Sequence, residues 1–160
     1  MRAILEFPQI DKENQAQVAT YIEQIAGEIA SGLDCSKTLK KLSTLTGKKH
    51  NAAEFAEYWG WTDLETLAEM TVTPEPPYVP DLTRAELEEI IAIIQDCCIT
   101  LDDNKMIYYE ELLHKSLPLT DVSSYITVEE TTSEICVGRR DIIIEGFMAE
   151  HGNNYVAQSA

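Results

Sequence analysis

Four prolines crowd into residues 74–80, at Pro74, Pro76, Pro77 and Pro80, and they limit the fold more than any other feature. Proline lacks a backbone N–H and fixes its φ angle, so residues 71–80 cannot carry a helical hydrogen-bond ladder and should run extended and stiff. The chain is 160 residues long, enough for one domain or two small ones. The proline segment favours two: a small helical domain over residues 1–72, a linker over 73–80, a helical domain over 81–150 and a tail over 151–160.

Both halves read as helical, giving an all-α chain. Over residues 15–31, Val18, Ile22, Ile25 and Ile29 recur at steps of four, three and four, the signature of an amphipathic helix that Gly32 should end. A second helix, with Leu39, Leu42 and Leu45, should start near Ser36 and stop at Gly47, pairing with the first as a hairpin. Asn51 is a plausible cap for a short helix with Phe55, Tyr58 and Trp59 on its apolar side, ended by Gly60, and Thr62 with Glu65 reads as a capping box for the next. Beyond the prolines, Thr83 and Glu86 form another capping box, before a helix with Leu87, Ile90, Ile91 and Ile94 on one face. Asp102 and Asp103 suit the positive end of the following helix, whose Met106, Tyr109, Leu112 and Leu113 should face a core before Pro118 ends it. Residues 119–126 suggest a single helical turn, and residues 135–148 one helix, two pieces or a strand.

Charge narrows the partners. Acidic residues outnumber Lys and Arg by 28 to 12, and the net charge is −16. Residues 77–160 contribute −11 of this and residues 1–76 contribute −5. Such a chain repels nucleic acid and anionic membrane and draws basic proteins by long-range steering. No apolar run is long enough to span a bilayer, and the first eight residues lack the apolar region and cleavage site of a signal peptide, so a cytoplasmic location is expected. Lys37, Lys40, Lys41, Lys48 and Lys49 form the one basic cluster, expected to be a solvated helix face, with Trp59 and Trp61 as core and rim of the first domain.

Nothing in the chain suggests catalysis. Cys35, Cys97, Cys98 and Cys136 show neither C-x-x-C spacing nor a histidine at ligand distance, so neither a metal, a disulfide framework nor any cofactor is indicated; Cys97 and Cys98 read as buried small hydrophobes. His50, His114 and His151 stand apart, as surface histidines, and no phosphate-binding, dinucleotide or nucleophile motif occurs. No enzyme activity is expected. An enzyme would need a pocket gathering His114 with Glu110 or Asp103, which as i,i+4 neighbours are more simply a surface pair in the case of Glu110 and His114.

One resemblance gives these features a direction. The run Asp81-Leu82-Thr83-Arg84-Ala85-Glu86-Leu87, the acidic second helix, and Pro118 followed by Val122-Ser123-Ser124-Tyr125-Ile126 resemble the colicin-type bacteriocin immunity family over residues 81–144, about two fifths of the chain. Residues 42–59 are similar to an extension of some longer immunity-like bacterial proteins. The resemblance implies a four-helix immunity-like domain, preceded by a small helical domain, that binds and neutralises the basic nuclease domain of a toxin. By position it implies that Asp102, Asp103, Met106, Ile107, Glu110 and His114 on the second helix, with Ser123, Ser124, Thr127 and Val128 on the short third one, form the binding face. Aligned carboxylates would speed the encounter and a few apolar groups would supply most of the affinity. Two departures stand out: Ser124 occupies the family's aspartate position and Thr127-Val128 its aromatic pair, which removes anchors worth ~2 kcal/mol or more each. Tyr108 or Tyr125 could replace them, or the partner could be something other than a nuclease. The alternative is a helical adaptor or homodimer whose proline linker spaces two modules; oligomeric state is not encoded.

Overall fold

A computed structural model describes residues 1–116. The expected turn at 119–126, the 135–148 segment, Tyr125, Cys136, His151 and the four candidate residues Ser123, Ser124, Thr127 and Val128 lie outside the described residues. Every regular element among the described residues is helical. They form two compact units, Pro8–Glu75 and Met1–Phe7 joined with residues 76–116.

The first unit is built from α1 (Lys12–Ala30), α2 (Ser36–Thr46) and α3 (Leu64–Val72). Helix α1 starts earlier than its apolar period suggests because the Asp11 carboxylate accepts the free N–H groups of Glu13 and Asn14. It ends at Gly32 in the left-handed region, with the Leu33 N–H donating to the Glu28 carbonyl at 2.8 Å, a Schellman closure. Gly47 ends α2 in the same conformation. Between α2 and α3 the chain makes two 3-10 turns, Ala52–Glu54 and Tyr58–Gly60, instead of the expected short helix. The Asn51–Glu54 capping box closes the first turn, and Glu57, with φ near 50°, breaks the path before the second. Asp63, not Thr62, caps α3: its carboxylate accepts both the N–H and the hydroxyl of Thr66, a stronger acceptor placed one residue further on. Val18, Ile22, Ile25, Leu42, Phe55, Leu67 and Ala68 fill the core.

The second unit contains α4 (Arg84–Thr100) and α5 (Asp103–Ser116). The Thr83–Glu86 capping box starts α4 as read from sequence. Leu87, Ile90, Ile91 and Ile94 of α4 meet Tyr108, Tyr109, Leu112 and Leu113 of α5 in one buried cluster. Leu5 is fully buried in that cluster, and Phe7 packs edge-on to Tyr108 with ring centroids 5.2 Å apart. Residues 1–7 thus belong with α4 and α5, unlike the expected 1–72 division. Arg2 secures them: its guanidinium donates to both oxygens of Glu86, at 2.6 and 3.0 Å, and to Asp81 at 2.9 Å. The Met1 ammonium lies 3.1 Å from Glu89.

The end of the proline segment is a packed part of this unit and not a free spacer. Val79 is buried in the cluster and its N–H donates to Ser116 Oγ, while Lys115 Nζ donates to the Pro76 carbonyl.

Candidate protein-binding surface

The turn between α4 and α5 is closed like the one after α1, but with a leucine where that turn uses glycine. Leu101 sits at φ 59° and the Asp102 N–H donates to the Cys97 carbonyl at 3.1 Å, a second Schellman closure. A side chain in this left-handed region costs roughly 1–2 kcal/mol, which is why glycine is usual there. Leu101 is 80% exposed, so local packing does not offset that cost. Ile99, two residues earlier, is also exposed.

Carboxylates flank this apolar tip. Asp96, Asp102 and Asp103 are all exposed. Asp102 also caps α5, its Oδ1 accepting the Lys105 N–H at 3.2 Å, which fixes the carboxylate at the positive end of the helix. From there Asp103, Ile107, Glu110 and His114 follow at steps of four, three and four, so helical geometry puts them on one stripe of α5. Asp103 and His114 are exposed; Ile107 and Glu110 are half-buried. An apolar tip thus leads into an acidic stripe, able to attract a cationic surface and seat an aliphatic anchor in it.

Met106 packs against the buried cluster, as its core-facing place in the helix predicts, with its Sδ accepting from Cys98 Sγ at 3.4 Å, so it is only partly available to a partner. Tyr108 cannot replace the missing aromatic anchors, because its ring is buried between Phe7 and Tyr109. That burial pushes its hydroxyl pKa upward. Leu101 and Ile99 were missed because an apolar residue between two helices normally reads as core, and the sequence signal for a left-handed turn is glycine.

Cys97 is buried, and desolvation, helped by the Asp102 charge, pushes its thiol up to about 11; Cys98 is half-buried. Cys97 fits the expected small hydrophobe. His50 is not the isolated surface residue expected: its side chain is covered, Nε2 lies 2.9 Å from Thr46 Oγ1 and Nδ1 3.1 Å from Glu54 Oε2, tying the end of α2 to the first 3-10 turn. Lys48 leaves the expected solvated lysine face as well, donating to the Met70 and Thr73 carbonyls at the end of α3. Lys37, Lys40 and Lys41 remain exposed and, with Tyr21, Thr44 and Leu45, line a shallow depression. Trp59 and Trp61 are neither core nor rim, at 62% and 61% exposed.

No group of three or more His, Cys, Asp and Glu side chains among the described residues is placed to hold a metal ion. No helix among them is long and apolar enough to cross a membrane. No protein-family model, curated protein or solved structure matches the chain.

Proposed function

We propose that the chain is an immunity-like inhibitor that binds a basic toxin domain, of the nuclease type, one to one through the α4–α5 tip and the acidic stripe of α5. The observation that carries this reading is Leu101, an exposed leucine held in a left-handed conformation among Asp96, Asp102 and Asp103. Backbone strain that supplies no packing is the kind retained at binding sites. The carboxylates give a fast, salt-sensitive encounter, and the aliphatic tip supplies contact energy after desolvation. In this reading the role of the family's aromatic pair passes to Leu101 and Ile99, and Asp103, Ile107, Glu110 and His114 complete the face. Inhibition is by occlusion and needs no cofactor or catalytic group.

Calorimetric titration of the full chain with any basic toxin domain encoded near its gene tests the reading. The expected result is one-to-one binding that weakens with salt, falls about tenfold or more in Leu101→Ala and falls again in Asp103→Asn. Binding that ignores all of these changes would place the contact elsewhere and refute the assignment.

A further inference from the structure

Besides Leu101, Glu57 is the only non-glycine residue with positive φ among the described residues, and it too adjoins exposed apolar side chains. Glu57 directs the chain into the turn Tyr58–Gly60, and Tyr58, Trp59 and Trp61 lie within the four residues that follow it. These are the protein's only two tryptophans, and both are more than half exposed. Tryptophan is highly buried on average and is enriched among the residues that dominate binding energy at protein interfaces. The turn is held firmly from behind: Phe55 is buried in the core, the Asn51–Glu54 box closes the preceding turn, and His50 bonds Glu54.

The surrounding charge identifies the occupant. No lysine or arginine occurs between Lys49 and Arg84, while Glu54, Glu57, Asp63 and Glu65 lie within five residues of an indole. Lys48, the basic residue preceding Lys49, is committed to the carbonyls at the end of α3. Hydrogen bonds from Thr66 hold the Asp63 carboxyl below its ordinary range, so it stays charged at neutral pH. Indole faces attract guanidinium and ammonium groups through the ring quadrupole, and nearby carboxylates add to that attraction while repelling anions.

We infer that the aromatic turn of the first unit is a second docking surface, which takes an arginine- or lysine-bearing segment of a partner protein with a cationic side chain laid on Trp59 or Trp61. It lies in a different unit from α5 and does not depend on the immunity reading.

Tryptophan emission reports this surface alone, because the chain has no other indole. Octa-arginine serves as the probe and octa-glutamate as the control, with N-acetyltryptophanamide correcting for collisional effects. The full chain should give a saturable emission change and reduced acrylamide quenching with octa-arginine, and neither with octa-glutamate. By calorimetry, Trp59→Ala and Trp61→Ala, checked for folding by circular dichroism, should each weaken binding about tenfold. Glu57→Gly, which keeps both indoles, removes one carboxylate and relieves the strained φ, should also bind more weakly while remaining folded. The inference is overturned if octa-arginine binds without changing the emission, or if both tryptophan variants bind within about twofold of the parent. It is equally overturned if the indoles of the free chain already resist acrylamide, or if their emission shifts with chain concentration alone, which would assign the turn to a second copy.

Discussion

Replacing Leu5 by alanine should destabilise α4 and α5, although Leu5 lies nearly eighty residues before the first and nearly a hundred before the second. Leu5 is 0% exposed and sits among Val79, Leu82, Leu87, Ile90 and Tyr109 in the second unit's core. Removing its three outer carbons forfeits their transfer free energy and leaves a cavity, a change that costs about 2–5 kcal/mol for buried leucines. A cost of about 3 kcal/mol, within that range, corresponds to roughly a hundredfold in the opening equilibrium. Native-state hydrogen exchange reads this directly: the slowest amides of α4 and α5 should lose about two orders of magnitude of protection. Ile4→Ala is the internal control, since Ile4 is 53% exposed and its loss should change protection by less than about 0.5 kcal/mol. If Leu5→Ala leaves α4 and α5 as protected as Ile4→Ala does, the assignment of residues 1–7 to this core is wrong.

Other consequences can be measured separately. Leu101→Gly should raise the unfolding free energy by about 1 kcal/mol by relieving the left-handed leucine, as read from denaturant unfolding; lower stability would contradict the strain argument. Glu86 is held below its ordinary 4.5, chiefly by its hydrogen bonds with Arg2, so its contribution is fully present above that value and is lost as pH falls through the lowered one. Acid titration of stability should therefore be shallower in Arg2→Ala than in the parent; equal slopes below pH 4.5 would show that the pair is not coupled to folding. With its thiol pushed up to about 11, Cys97 should resist a disulfide reagent at pH 8 until the protein is denatured, as followed by mass spectrometry of labelled peptides.

What could be read from the sequence was local. The Thr83–Glu86 box, the glycine ends of α1 and α2 and the apolar stripes all depend on residues a few positions apart, so periodicity and capping chemistry reveal them. The acidic start of α5, and with it Asp102 and Asp103 of the candidate surface, was legible for the same reason. The attachment of residues 1–7 was not, because Arg2 meets Glu86 across 84 positions and no periodic pattern encodes such a contact. Nor was the exposure of Trp59 and Trp61: short 3-10 turns have too few residues to show which side faces the core, and large aromatic groups suggest burial by default. Leu101 escaped because its conformation follows from the helix pairing around it and not from its own preference.

Co-expression of the chain with any nuclease-type toxin gene found near its own tests the proposed inhibition most directly, with cell survival as the readout. Survival with the parent chain, lost when Leu101, Asp103 and Glu110 are replaced by alanine, lysine and lysine in a chain that still accumulates folded, is the predicted result. Unchanged killing in the presence of the parent chain, or full protection by the triple variant, would contradict it.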